Sequence, residues 1–153
     1  TYTGESQKPT AKAVGVIKPD TVIINVTGAQ TNAGNYSAKA TSFSGENFNN
    51  YKLSADSTIS FSIAKADPKN ITAPTAKSII YNASKQALIT AGGVNGGKMQ
   101  YAIGNGEYTD TIPMARNAGS YNIVYRIVGD DNHNDADGDT IHVTIAKKTL
   151  EVL

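Results

Sequence analysis

The chain has 153 residues, with 14 Lys and Arg against 13 Asp and Glu and a formal charge of +1 when His is neutral. No strong field therefore draws it to nucleic acid or to an anionic bilayer. Cysteine is absent, which removes disulfides, thiol nucleophiles and thiolate metal sites together, and the longest apolar stretches fall far short of the roughly 18–20 residues of a membrane-spanning helix. Leu occurs only at 53, 88, 150 and 153, while Ile, Val and Thr run throughout. β-Branched side chains lose χ1 freedom in helices and pack well on a pleated sheet, so the composition predicts an all-β chain with little or no helix.

In chain order, Tyr2-Thr3-Gly4 and Asn32-Ala33-Gly34-Asn35-Tyr36 read as turns, the second feeding a strand. Ile59, Phe61 and Ile63 alternate with Ser60 and Ser62, the period-two pattern of a half-buried strand. Asp67-Pro68 interrupts any continuous strand. Residues 84–91, with Gln86, Ala87 and Leu88, allow a short helix before Gly92-Gly93, a strand being favoured. The glycine-rich stretch 92–99 reads as a flexible inter-strand loop: its Gly97-Lys98 precedes Met99, and a phosphate loop needs Ser or Thr there. Met99, Tyr101 and Ile103 form an inward row ahead of a Gly104-Asn105-Gly106 hairpin turn. Tyr121, Ile123, Tyr125 and Ile127 line one face of a central strand and Asn122, Val124, Arg126 and Val128 the other; Ile141, Val143 and Ile145 alternate with His142 and Thr144.

These segments repeat. The run from Ile59 to Ala66 recurs from Ile141 to Lys148 at a shift of 82, Asn32 to Tyr36 recurs from Asn117 to Tyr121 at a shift of 85, and Tyr2-Thr3-Gly4 answers to Tyr81-Asn82-Ala83 at a shift of 79. Ordered anchors with drifting offsets describe one unit copied twice with loops of different length. The expected domains are 1–67, lacking its first strand, 68–148, and 149–153 as the start of a further repeat, so the chain is expected to be a fragment of a longer array. Residues 149–153 are expected to be an unpaired strand able to complete the first repeat of a neighbouring molecule, an association that would be an artefact of truncation.

Asn-Ala-Gly-x-Tyr before a strand matches the entry to strand F of immunoglobulin-type sandwiches, where the Tyr hydroxyl closes a corner on upstream backbone. Tyr36 and Tyr121 are the candidate corner residues, with Ala38 and Ile123 in the place of the usual Cys; a generic strand-entry turn is the plainer alternative. Together with Ile112-Pro113, Gly129-Asp130-Asp131-Asn132-His133 and the closing Ile141-to-Lys147 pattern, these motifs resemble the tandem immunoglobulin-like repeats of bacterial cell-surface and adhesin proteins, including the MBG and YDG repeats. The resemblance covers essentially the whole chain and departs at Ala83, where the family has Gly, and in repeat 1, which lacks Ile-Pro. It implies two tandem immunoglobulin-like β-sandwich domains, an extracellular, cell-surface or secreted location, a monomer whose partners are neighbouring repeats, and no catalytic residues.

The chemistry-bearing residues are few. His133 sits in an Asn/Asp loop and His142 on an outward strand face, which favours solvated histidines over a Ser-His-Asp triad. Glu5, Glu46, Glu107 and Glu151 lie in loops, turns or the tail and form no implied glycosidase pair. The run 130–139 is rich in oxygen ligands, and Asp131, Asp135, Asp137 and Asp139 are calcium candidates; yet His133 and Thr144 fall where an EF-hand needs its first ligand and its bidentate Glu. The alternative for this run is a polar inter-strand connection. Three functions remain: a non-catalytic spacer, which is favoured; a module whose Phe48 or Tyr108 stacks on a host glycan or protein, Tyr101 being expected in the core; and an enzyme, which is disfavoured.

Overall fold

A computed structural model of the chain describes residues 1–54 and 57–153. The protein is all-β, with about half of the chain in strands and a single three-residue 3-10 turn, Phe48–Asn50, among the described residues. It divides into two compact units, Thr1–Ala66 and Asp67–Leu153.

Unit 1 is built on a three-stranded antiparallel sheet in which β2 (Gly34–Ser44) lies between β1 (Ile23–Thr27) and β3 (Thr58–Ile63). The alternation in β3 is as the sequence dictates, with Ile63 buried, Ile59 and Phe61 half-buried, and Ser60 and Ser62 exposed. Val26, Ala38, Ile63 and Ala66 are its buried apolar residues among those described. The chain ahead of the sheet makes two isolated bridges, Gln7 to Gln30 and Lys12 to Ile23.

Unit 2 carries more strands: β4 (Lys69–Thr72), β5 (Thr75–Ala76), β6 (Ile79–Ile80), β7 (Gln86–Ala87), β8 (Ile89–Thr90), β9 (Gly93–Asn95), β10 (Gly97–Ile103), β11 (Met114–Ala115), β12 (Gly119–Gly129) and β13 (Ala136–Ala146). Four of them form one sheet in the order β10-β12-β13-β6, antiparallel except for β6, which runs parallel to the end of β13 through Ile79 opposite Ile145. The central position expected for the strand through Tyr121 and Ile127 is the one β12 occupies. The other six strands pair as β4 with β9, β5 with β8 and β7 with β11. Segment 86–95 is the middle of this second set: the Lys77 amide donates to the Leu88 carbonyl on one side, and the Leu88 amide donates to the Pro113 carbonyl on the other.

The core of unit 2 draws on both sets of strands. Leu88, Ile89 and Ile79 cluster with Met99, Tyr101, Ile123, Tyr125, Ile127, Val143 and Ile145. Dispersion and the removal of apolar surface from water hold such a cluster together. At its edge, Gly138 faces Tyr125 so closely that a Cβ there would stand 2.4 Å from the ring and 2.5 Å from the Tyr125 carbonyl oxygen. No side chain larger than hydrogen fits without moving a core aromatic.

Several expectations are corrected. Residues 93–95 of the glycine-rich stretch are strand β9, not a loop, because β4 supplies their partner. Ile103 does not lie in an inward row: it is 41% exposed, because it ends β10 beside the turn at Gly104 and solvent reaches it. That turn does fold the chain back, through reciprocal amide-to-carbonyl bonds of 2.8 Å between Tyr101 and Thr109. The supposed loop 130–139 ends at Asp135, since β13 begins at Ala136 opposite Ile127. Residues 149–153 are exposed but form no strand.

Candidate functional site

The strand-entry corners have the same geometry in both units. The Tyr36 hydroxyl donates to the Asn32 carbonyl at 3.0 Å, and the Tyr121 hydroxyl to the Asn117 carbonyl at 2.7 Å. In each case the phenol reaches back four residues and ties the turn to the strand it feeds, so the strand's register begins from a fixed point. Phe61, directly opposite Tyr36 in the ladder, packs on its ring at a centroid distance of 5.7 Å.

The connection between β12 and β13 is cross-braced by its own acids. His133 Nδ1 lies 2.6 Å from Asp130 Oδ1, the same oxygen accepts the Asn132 amide at 2.9 Å, and Asp135 Oδ1 accepts the Gly129 amide at 2.8 Å. The His133 and Asn132 donors hold the Asp130 carboxyl below the usual carboxylate range. The His133 side chain is 15% exposed, so this histidine is largely covered, contrary to the solvated expectation. Its ring lies against Gly96, whose φ of +93° and lack of Cβ permit the approach. Of the four calcium candidates, Asp135 bonds backbone, Asp137 stands opposite Arg126 in the ladder, Asp139 lies farther along β13, and Asp131 lies in the connection. Among the described residues no three His, Asp or Glu side chains converge as a metal site.

A polar network that sequence reasoning missed covers the outer face of β10 and β12. Lys98 Nζ reaches Asp110 Oδ2 at 2.7 Å, Gln100 donates to Asp110 Oδ1 at 2.8 Å, and Arg126 donates to Gln100 Oε1 at 3.0 and 2.7 Å. The Arg126 guanidinium also lies 4.4 Å from the centre of the Tyr108 ring. Gln100 and Arg126 are direct ladder partners, so the signal was available once the register was known, but not before. Lys98 and Gln100 hold the Asp110 carboxyl below its usual range. Of the three aromatics weighed for stacking, Tyr108 already has Arg126 on one face, Phe48 meets Phe43 edge-on at 6.0 Å, and Tyr101 is 4% exposed inside the core. His142 pairs with Asn122 Oδ1 at 2.7 Å on the exposed face of β13.

Unit 1 holds a groove of about 410 Å³ between residues 11–16 and the face of its sheet. Beside it, Asp20 accepts from the Tyr51 hydroxyl and from Asn47, both at 2.8 Å, and the Ile17 amide donates to the Tyr51 oxygen at 3.1 Å. The Asn47 and Tyr51 bonds lower the Asp20 carboxyl. These bonds fasten a loop beside the groove. Comparison with family models, with curated proteins and with solved structures found no match.

Proposed function

We propose that the chain is a pair of tandem immunoglobulin-like β-sandwich modules that serve, without catalysis, as a spacer in a bacterial cell-surface or secreted adhesin-like protein. The observation that carries this reading is that one hydrogen-bonded frame occurs twice. Gly34 pairs with Ile63 as Gly119 pairs with Ile145, and the correspondence runs unbroken through Tyr36 with Phe61 and Tyr121 with Val143 to Lys39 with Thr58 and Val124 with Thr140. The offsets between these pairs are the 85 and 82 of the sequence repeat. Tyr2 donates its amide to the Ala64 carbonyl at 2.7 Å, and Tyr81 donates to Ala146 at 2.8 Å.

In this reading β10, β12 and β13 are strands C, F and G of one sheet, and β1, β2 and β3 are their counterparts in unit 1. The three two-stranded pairs β4 with β9, β5 with β8 and β7 with β11 stand, in this reading, for the opposing sheet of unit 2. A spacer needs modules that each keep their own core, and it needs no reactive site. The alternative adhesive role draws less support, because Tyr108 and Phe48 already have aromatic or cationic partners.

Stretching single molecules of the whole chain tests the mechanical part of the reading. Two separate unfolding events are expected, each releasing roughly 3.3–3.6 Å per residue of its unit; one event, or none above the noise, contradicts it. Surface labelling of intact source cells with an antibody to the chain tests the location.

A further inference from the structure

We infer that the groove of unit 1 binds a small apolar molecule carrying one anionic group, a chemistry set by side chains that unit 1 lacks at core positions filled in unit 2. The comparison between the units rests on the tandem-unit reading.

The ladders give the correspondence position by position. In unit 2, Tyr101 stands opposite Tyr125, and Ile123 lies two residues before Tyr125 on β12. In unit 1 the same places are held by Val26 opposite Ala40, with Ala38 two residues before Ala40 on β2. Two phenol rings and a branched aliphatic chain are thereby reduced to one isopropyl and two methyl groups. The reduction continues in the facing segment. The Gln7 to Gln30 bridge matches the Gln86 to Ala115 pair, and at that offset half-buried Pro9 and exposed Thr10 stand where unit 2 buries Leu88 and Ile89.

Interiors pack to crystal density, so smaller side chains must be met by collapse or by space. Unit 1 shows space. Tyr101 and Tyr125 belong to the core cluster of unit 2, whereas Ala40 lines the groove of about 410 Å³. Val22, Ile24, Phe43, Leu53 and Ile59 line it too and are only half-buried. Small-molecule sites are mostly apolar clefts of about 300–1,000 Å³, and this one would seat a ring system where the rings of Tyr101 and Tyr125 sit in unit 2.

The charge at the groove has one sign. Lys12 and Lys52 line it and are exposed, and among the described residues no Asp or Glu lines it. The Asp20 carboxylate beside it is engaged by Tyr51 and Asn47. An anionic group at the rim with the apolar body against Ala40 and Phe43 satisfies both features of the wall.

Titrating the whole chain with naphthoate, two fused rings bearing one carboxylate, and following it by residue-resolved NMR tests the inference. Saturable shifts are expected at Ile24, Phe43, Leu53 and Ile59, and none in the core of unit 2. Ala40→Phe, which returns a ring to the site, is expected to abolish saturable binding. Lys12→Gln combined with Lys52→Gln is expected to weaken binding roughly three- to tenfold, as exposed charge pairs allow, and uncharged naphthylmethanol is expected to bind correspondingly less tightly than naphthoate. Shifts that never saturate, equal shifts in both units, naphthylmethanol binding as tightly as naphthoate, or undiminished binding by Ala40→Phe overturns the proposal. So does a wild-type dimer, seen in sedimentation, that blocks naphthoate, because a second copy of the chain then occupies the groove. Unchanged circular dichroism shows that Ala40→Phe has filled the site without unfolding the unit; if it unfolds, the lysine variant and the uncharged probe decide. Halves that do not superimpose count against the tandem reading alone, since the titration reads the groove directly.

Discussion

Ile123 is fully buried at the middle of β12, opposite Ile103 on β10 and Ile141 on β13. Replacing it by Ala deletes three carbons from a site walled by strands on both sides, where backbone hydrogen bonds resist collapse. Large-to-small changes of this kind cost about 2–5 kcal/mol, and the flanked position argues for the upper half of that range. In a unit of this size 1 kcal/mol moves the melting point by roughly 4–8 °C, so the unit 2 transition is expected to fall by at least about 10 °C. Ile123→Val, which removes one methylene, is expected to cost about 0.5–1.5 kcal/mol. Urea titration followed by residue-resolved NMR measures both units at once. Resonances of unit 1, such as those of Tyr36 and Phe61, are expected to keep their midpoint. If they shift together with those of unit 2, or if Ile123→Ala costs less than about 1 kcal/mol, the reasoning about a self-contained packed core is refuted.

Other outcomes follow from the same geometry. Gly138→Ala is expected to destabilise unit 2 by about 1–3 kcal/mol, as overpacking does, because the new Cβ meets the Tyr125 ring; a neutral effect in thermal melting counts against the fitted contact. Tyr36→Phe and Tyr121→Phe are each expected to lose about 0.5–1.5 kcal/mol, confined to the unit that holds the corner and read by the same NMR titration. The Asp20, Asp110 and Asp130 carboxyls are all held below their usual range. Their contribution to stability is therefore present above the unfolded carboxylate range, near about pH 4, and is lost as pH falls through the lower folded values. The melting point is expected to be nearly flat from neutral pH to about 5 and to drop below about 4, a drop that Asp110→Asn makes smaller.

The long strands were legible because one face of each is buried. Ile59 to Ile63 and Ile141 to Ile145 alternate as period two requires, and Tyr121 to Val128 shows apolar residues on both faces, with Ile123, Tyr125 and Ile127 buried on one and Val124 and Val128 half-buried on the other. The tyrosine corners announced themselves through a five-residue motif whose hydrogen bond spans only four positions. The second set of strands in unit 2 was harder to see. Its strands are two to four residues long, too short to establish a period, and Leu88 and Ile89 are adjacent yet both buried. The parallel pairing of β6 with β13 joins residues 66 apart in sequence, which no local pattern encodes. The Arg126, Gln100 and Asp110 network depends on cross-strand register, and the cover over His133 depends on Gly96 from a distant turn.

The central claim is that one β unit occurs twice, each copy closed on its own core. The most direct test is the two-dimensional NMR spectrum of Asp67–Leu153 expressed alone, laid over that of the whole chain. The account predicts that the amide signals of β10, β12 and β13 coincide in the two spectra. Collapse of the isolated unit to the narrow dispersion of an unfolded chain, or wholesale displacement of those core signals, would contradict it.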